Sequence, residues 1–192
     1  MRAYHGTLTD FDQFALDQPS VSASWTSRLG LFFSESAPIA AHFTLKANVV
    51  DAGYDSERGS RSLLEQPGRF DPEPFLPGAR VISVEVNLAH PYPMSAVAWT
   101  RWVESIHAEK DGEAMVLAFR RTLQEAGHDG LRVEAWDGHL PRADDLTPCV
   151  ETDAPMWITF STDTVRIQSS EPAHVHLPPF APSTPRRKRR PG

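Results

Sequence analysis

Two groups of residues in this 192-residue chain have side chains and spacing suited to chemistry on a bound ligand. The first is His5-Gly6-Thr7, which follows the strand-like Arg2-Ala3-Tyr4. A histidine at a strand end offers a ring nitrogen for hydrogen bonding, and a glycine after it lets the backbone turn sharply or approach a ligand closely. The second group is aromatic: Phe32 and Phe33 in the apolar run from Leu29 to Ser34, and Phe43 in the segment after Ser34-Glu35-Ser36-Ala37-Pro38. That segment reads as a capped helix with Ile39, Ala40 and Phe43 on one face, which brings Phe32 or Phe33 and Phe43 into one neighbourhood. Neighbours in a strand point to opposite faces, so Phe32 and Phe33 do not both line one cleft. Each group also has a plain reading, His5 as a hydrogen-bonded strand-end residue and the phenylalanines as core.

The elements that must position these residues follow from periodicity. Arg80 to Leu88 alternates apolar and polar residues with β-branched bulk, the most secure strand in the chain. His90-Pro91-Tyr92-Pro93 stops it. Residues 97–103 and Glu113 to Ala126 have helical spacing, the second closed by Gly127. Leu131 to Trp136, Met156 to Phe160 and Asp163 to Ile167 read as short strands, and Asp10 with Phe11 and Phe14 fits about one turn of helix. Asp129-Gly130 reads as a turn. Residues 17–28 are a Ser-rich loop, 49–78 a long mobile insertion, and 137–155 a polar connection. This order predicts an α+β domain over residues 1–168, built on a split, mostly antiparallel β-sheet with flanking helices. Residues 169–192 are expected to form a disordered, Pro-rich basic tail.

Composition narrows the setting. The single cysteine, Cys149, has no partner in the chain and no zinc-like Cys/His spacing accompanies it, which points to a reducing compartment and no structural metal. His174 and His176 lack a third ligand. Without a signal-like segment or an apolar run of membrane-spanning length, a cytoplasmic protein is expected. Arg186, Arg187, Lys188, Arg189 and Arg190 supply five positive charges to a net of −6, leaving −11 for the rest of the chain. The tail is then either a solvated extension or an electrostatic tether to nucleic acid or another acidic partner.

Tyr4-His5-Gly6-Thr7, Gly30-Leu31-Phe32-Phe33-Ser34 with Ala40-Ala41-His42-Phe43, Gly127-His128-Asp129-Gly130-Leu131 and Trp157-Ile158-Thr159-Phe160 together resemble the ADP-ribosyltransferase fold. The likeness is to its His-Tyr-Glu branch, which includes diphtheria-toxin-like and poly(ADP-ribose) polymerase catalytic domains, and especially to small bacterial and phage-borne members. It spans roughly residues 2–168. The resemblance implies NAD as substrate, bound in a cleft between two half-sheets. His5 would bond ribose hydroxyls, the Gly6 backbone would pair with the nicotinamide carboxamide, and Thr7 would shape the same turn. Phe32 stands where the family's motif tyrosine does, keeping the stacking face without the hydroxyl, and Phe43 stands where a second aromatic stacks on nicotinamide.

Cleavage of the nicotinamide-ribose bond passes through an oxocarbenium-like transition state, which a nearby carboxylate stabilises. The family's glutamate is expected where this chain has Met156, and Glu151 and Asp153 are the nearby acids that could replace it. The expected function is mono-ADP-ribosyl transfer from NAD to a macromolecular acceptor, protein or nucleic acid, with release of nicotinamide. The alternatives are a non-catalytic NAD- or ADP-ribose-binding or protein-contact module, and an NAD glycohydrolase.

Overall fold

The computed structural model describes residues 1–16, 25–45, 75–135 and 154–176. They form an α+β arrangement, with strands β1 (Arg2–Thr7), β2 (Leu31–Ser34), β3 (Arg80–Val86), β4 (Pro91–Met94), β5 (Gly130–Val133), β6 (Met156–Thr159) and β7 (Val165–Pro172). The helices are α1 (Ala37–His42), α2 (Ala96–His107) and α3 (Gly112–Glu125), with 3-10 turns at Trp25–Arg28 and Ala173–Val175. The strands make one mixed sheet in the order β4-β5-β6-β2-β1-β3-β7. The β4–β5 pair is parallel and the others are antiparallel. Among the described residues no helix is long and apolar enough to cross a membrane.

Helix ends sit where the side chains can satisfy them. Ser36 caps α1 by accepting from the Ile39 amide, and Ser95 caps α2 by accepting from the Ala98 amide at 3.2 Å. Helix α3 closes at Gly127, whose φ of +86° is open to glycine, with the Gly127 amide on Gln124 O and the His128 amide on Leu123 O. Asp129 then accepts from the Ala89 and His90 amides, at 2.6 and 3.1 Å, and fixes the turn into β5 as its residue type predicts.

One face of the sheet carries all three helices, yet in two separate clusters. Trp99, Ile106, Val116 and Leu123 of α2 and α3 pack on Leu131, Val133 and Ile158 of β5 and β6, with Phe32 at the margin. Ile39, Ala40 and Ala41 of α1 pack with Val81 and Ala173, and Tyr4 lies at that margin. Each fully buried Leu or Ile contributes about 1.5–3 kcal/mol. The opposite face holds one continuous cluster of Ala3, Phe33, Ile82, Val84 and Val86, closed by Phe11 and Phe14.

Four expectations are corrected. Strand β3 ends at Val86, before His90, but Pro91 and Pro93 belong to a further strand, Pro91–Met94, at the sheet edge, where a missing N–H is tolerated. Strand β7 runs beyond Ser169 to Pro172, and Ala173 is fully buried, so the fold extends past residue 168. Polar Ser169-Ser170-Glu171 is held by the register of β3 rather than by its own apolarity. Residues 10–14 form bends rather than a helical turn, with Phe11 and Phe14 covering His5. Gly6 lies within β1 and makes no turn. The segments 17–24, most of 49–78, 137–153 and the tail beyond 176, for which the sequence predicts loops, an insertion and a tail, lie outside the described residues.

Candidate functional site

The sheet is nearly severed between β1 and β2. Other strand pairs are joined over four to seven residue pairs, whereas β1 and β2 share one, Tyr4 with Ser34. Two half-sheets result, β4-β5-β6-β2 and β1-β3-β7, each carrying its own helix cluster.

His5 bridges that junction. Its Nδ1 donates to the Phe32 carbonyl at 2.8 Å. In the register set by Tyr4 and Ser34, Phe32 is the residue that would face Gly6, so the imidazole takes a carbonyl that a continued ladder would use. A carbonyl cannot donate, so the proton sits on Nδ1 and the neutral ring presents Nε2 as an acceptor. Phe14, Phe33 and Phe11 surround the ring at centroid distances of 5.2, 5.7 and 6.5 Å. Burial among them lowers its pKa below the usual 6.5, against a smaller upward pull from the bond to Phe32.

The neighbouring backbone groups follow from strand alternation. Met1 and Val86 exchange both hydrogen bonds at 2.8 Å, so Ala3, His5 and Thr7 point their backbone groups at β3. Tyr4 and Gly6 direct theirs toward β2, and beyond Tyr4 the β2 ladder has ended. Gly6 therefore presents its N–H and C=O to the junction. A Cβ on Gly6 would fall 2.0 Å from the Ala40 carbonyl oxygen, so only glycine lets α1 lie this close to β1. Thr7 is buried, its Oγ1 accepting from the Thr9 amide at 3.2 Å.

The aromatic residues divide between the faces. Phe33 is 2% exposed and packs beside His5. Phe32 is half-buried on the helix face, 6.1 Å from Trp99, and shares that face with Gly6, Ser34 and Met156. Phe43 follows α1 and is 56% exposed while Ile39 and Ala40 are buried, so it does not share their packed face as expected, and its ring meets His42 at 6.2 Å rather than Phe32 or Phe33. Met156 opens β6 opposite Ser34 and packs against the α2–α3 cluster. Glu151 and Asp153 lie outside the described residues.

The chain matches no family model, no curated protein and no solved structure. Its site is described by its own geometry.

Sequence reasoning did not single out Glu35 and Trp157 as a pair. Trp157 Nε1 donates to Glu35 Oε1 at 2.8 Å, and the Arg132 guanidinium lies over the indole at 5.6 Å. Glu35 directly follows the strand carrying Phe33, and Trp157 is Phe33's partner across β6, a relation visible only once register is known. Among the described residues no cluster of His, Cys, Asp and Glu could hold a metal ion.

Burial makes the fold sensitive to acid here. His42, buried in α1, also has its pKa lowered by desolvation. Both rings bind protons more readily in the unfolded chain, so their contribution is intact above about pH 6.5 and is lost as the pH falls below it. The slope reaches about 1.4 kcal/mol per pH unit for each ring. Urea unfolding at pH 7.5 and 5.5 should give the lower midpoint at pH 5.5, and equal midpoints would contradict the assignment.

Proposed function

We propose that this chain is an NAD-dependent mono-ADP-ribosyltransferase, moving ADP-ribose to a macromolecular acceptor and releasing nicotinamide. The observation that supports it most is the junction at Tyr4, where Gly6 turns an N–H and a C=O toward the gap beside the half-buried ring of Phe32. A carboxamide is the complement of such a pair, being itself a donor and an acceptor, and a pyridinium ring suits a flanking aromatic face. Phe43, exposed at the end of α1, is the second ring available for stacking. Nε2 of His5 is the acceptor offered to a ribose hydroxyl. The single β1–β2 pair supports placing between the half-sheets the cleft that the sequence resemblance implies.

In this reading nicotinamide leaves with the electrons of its bond to ribose, and a carboxylate stabilises the positive charge left on the sugar. Met156 cannot serve, so Glu151 or Asp153 supplies it. The acceptor is a protein or a nucleic acid, the latter drawn by Arg186, Arg187, Lys188, Arg189 and Arg190. A second reading, a non-catalytic NAD or ADP-ribose module, is favoured by the packing of Met156 against the α2–α3 cluster.

Titration of isotope-labelled protein with NAD tests the cleft. Saturable amide shifts centred on Gly6 and Phe32 are expected, with Phe32→Ala weakening binding by about 1–2 kcal/mol. Saturable shifts that spare both strands would remove the site. Replacing the acid in use, by Glu151→Gln or Asp153→Asn, should abolish turnover while leaving NAD binding nearly intact.

A further inference from the structure

The two edges of the sheet differ in what they leave open. Half of β4 is proline, Pro91 and Pro93, so that edge offers few N–H groups to a further strand. Strand β7 is eight residues long, and its only proline is the last, Pro172. Glu85, Ser83 and Val81 of β3 turn their backbone groups to β7, so their partners Arg166, Ser169 and Glu171 bond inward, and Ile167 and Ser170 point theirs out of the sheet. The Ser170 carbonyl, free of the β3 ladder, accepts from Arg80 Nη2 at 3.1 Å and keeps a second lone pair.

In a regular strand outward groups recur every second residue, and Arg166 and Glu171 would lie on opposite faces. Gln168 changes both. Ser83 pairs with Ser169 and Val84 with Ile167, which leaves Gln168 as an extra residue, a bulge. The bulge lengthens the step from Ile167 to the next outward residue, Ser170, and it brings Arg166 and Glu171 to the same, helix-bearing face, opposite Glu85 and Val81. Among the described residues Arg166 enters no ion pair, although Glu85 lies directly across from it. Glu171 Oε2 lies 3.1 Å from His176 Nε2, which engages one of its two oxygens.

We propose that β7 pairs antiparallel with β7 of a second copy of this chain, about a two-fold axis between Gln168 and Ser169. Ile167 of each copy then faces Ser170 of the other as a hydrogen-bonded pair. Arg166 faces Glu171 at both ends, at the non-bonded positions where Cα atoms lie about 4.5 Å apart. Two features select a second copy over any other strand. A regular strand falls out of step at the bulge, whereas a second copy carries the same extra residue at the axis. The same register sets each cation opposite a carboxylate, and such a self-complementary contact closes as a dimer. Pairing through β7 is independent of the NAD reading, because β7 lies at the end of its half-sheet away from the Tyr4–Ser34 junction.

Sedimentation equilibrium of the full chain, at concentrations up to about 1 mM, tests the pairing. A monomer–dimer equilibrium is expected, weakened about tenfold by Arg166→Glu or Glu171→Arg alone and restored to within about threefold in the protein carrying both. Both side chains are exposed, so the melting temperatures of the variants should stay near that of the wild type. A wild type that stays monomeric overturns the proposal, as does a dimer that neither reversal weakens or that the double exchange fails to restore. Amide hydrogen exchange reports what occupies the edge, and protection of Ile167 and Ser170 should rise with protein concentration. Protection already complete in the dilute monomer would assign the edge to a segment of the same chain and equally overturn it.

Discussion

Gly6→Ala should destabilise the protein by about 3 kcal/mol, or roughly 6–12 °C in melting temperature. The added methyl would sit 2.0 Å from the Ala40 carbonyl oxygen and 3.1 Å from Thr44 Cγ2. The first of these is helix backbone, so relief requires α1 to lift from β1, which opens the cluster of Ile39, Ala40, Ala41 and Val81. Gly127→Ala provides the comparison, because there the added Cβ meets nothing within 4 Å and the cost is the φ of +86° alone. That cost is about 1–2 kcal/mol. Urea denaturation of the two variants separates steric exclusion from backbone strain. A Gly6→Ala protein as stable as the wild type would mean that α1 does not pack on β1 as described.

His5→Ala carries the second large effect, about 2–4 kcal/mol. Two losses combine: a cavity among Phe11, Phe14 and Phe33, and a Phe32 carbonyl deprived of its donor at the junction. His5→Phe restores the ring without the donor and should recover about half of the stability. NAD affinity separates the structural role from the binding role. The cleft reading expects both variants to lose roughly 1–3 kcal/mol of NAD binding, since neither offers Nε2 to a ribose hydroxyl. A His5→Phe protein that binds NAD as well as the wild type would leave His5 as a bolt between the half-sheets and nothing more.

How much of this was legible in the sequence depended on whether the signal was local. The alternation from Arg80 to Leu88, which forms β3 over Arg80–Val86, and the closure of α3 at Gly127 are carried by neighbouring residues. That Phe32 and Phe33 face opposite ways was legible. Which of them joins His5 was not, because that depends on the pairing of Tyr4 with Ser34 across 30 residues of chain. Pro91 and Pro93 argue against a strand by their own chemistry, and only an edge position beside β5 reconciles them with one. Ser169-Ser170-Glu171-Pro172 has no apolar signal, yet β3 gives it a register. Phe11 and Phe14, spaced like helix residues, pack instead as two rings of a cluster around His5.

The most direct test of the account is nicotinamide release. Purified chain is incubated with NAD and the free base is followed, first alone and then with cell lysate or nucleic acid added. The account predicts release above the uncatalysed rate, rising when an acceptor is supplied and reduced in the Gly6→Ala and His5→Ala proteins. Release unchanged by any acceptor would make the chain an NAD glycohydrolase. No release under any condition, from protein that binds NAD, would contradict the transferase and favour the binding module to which Met156 points.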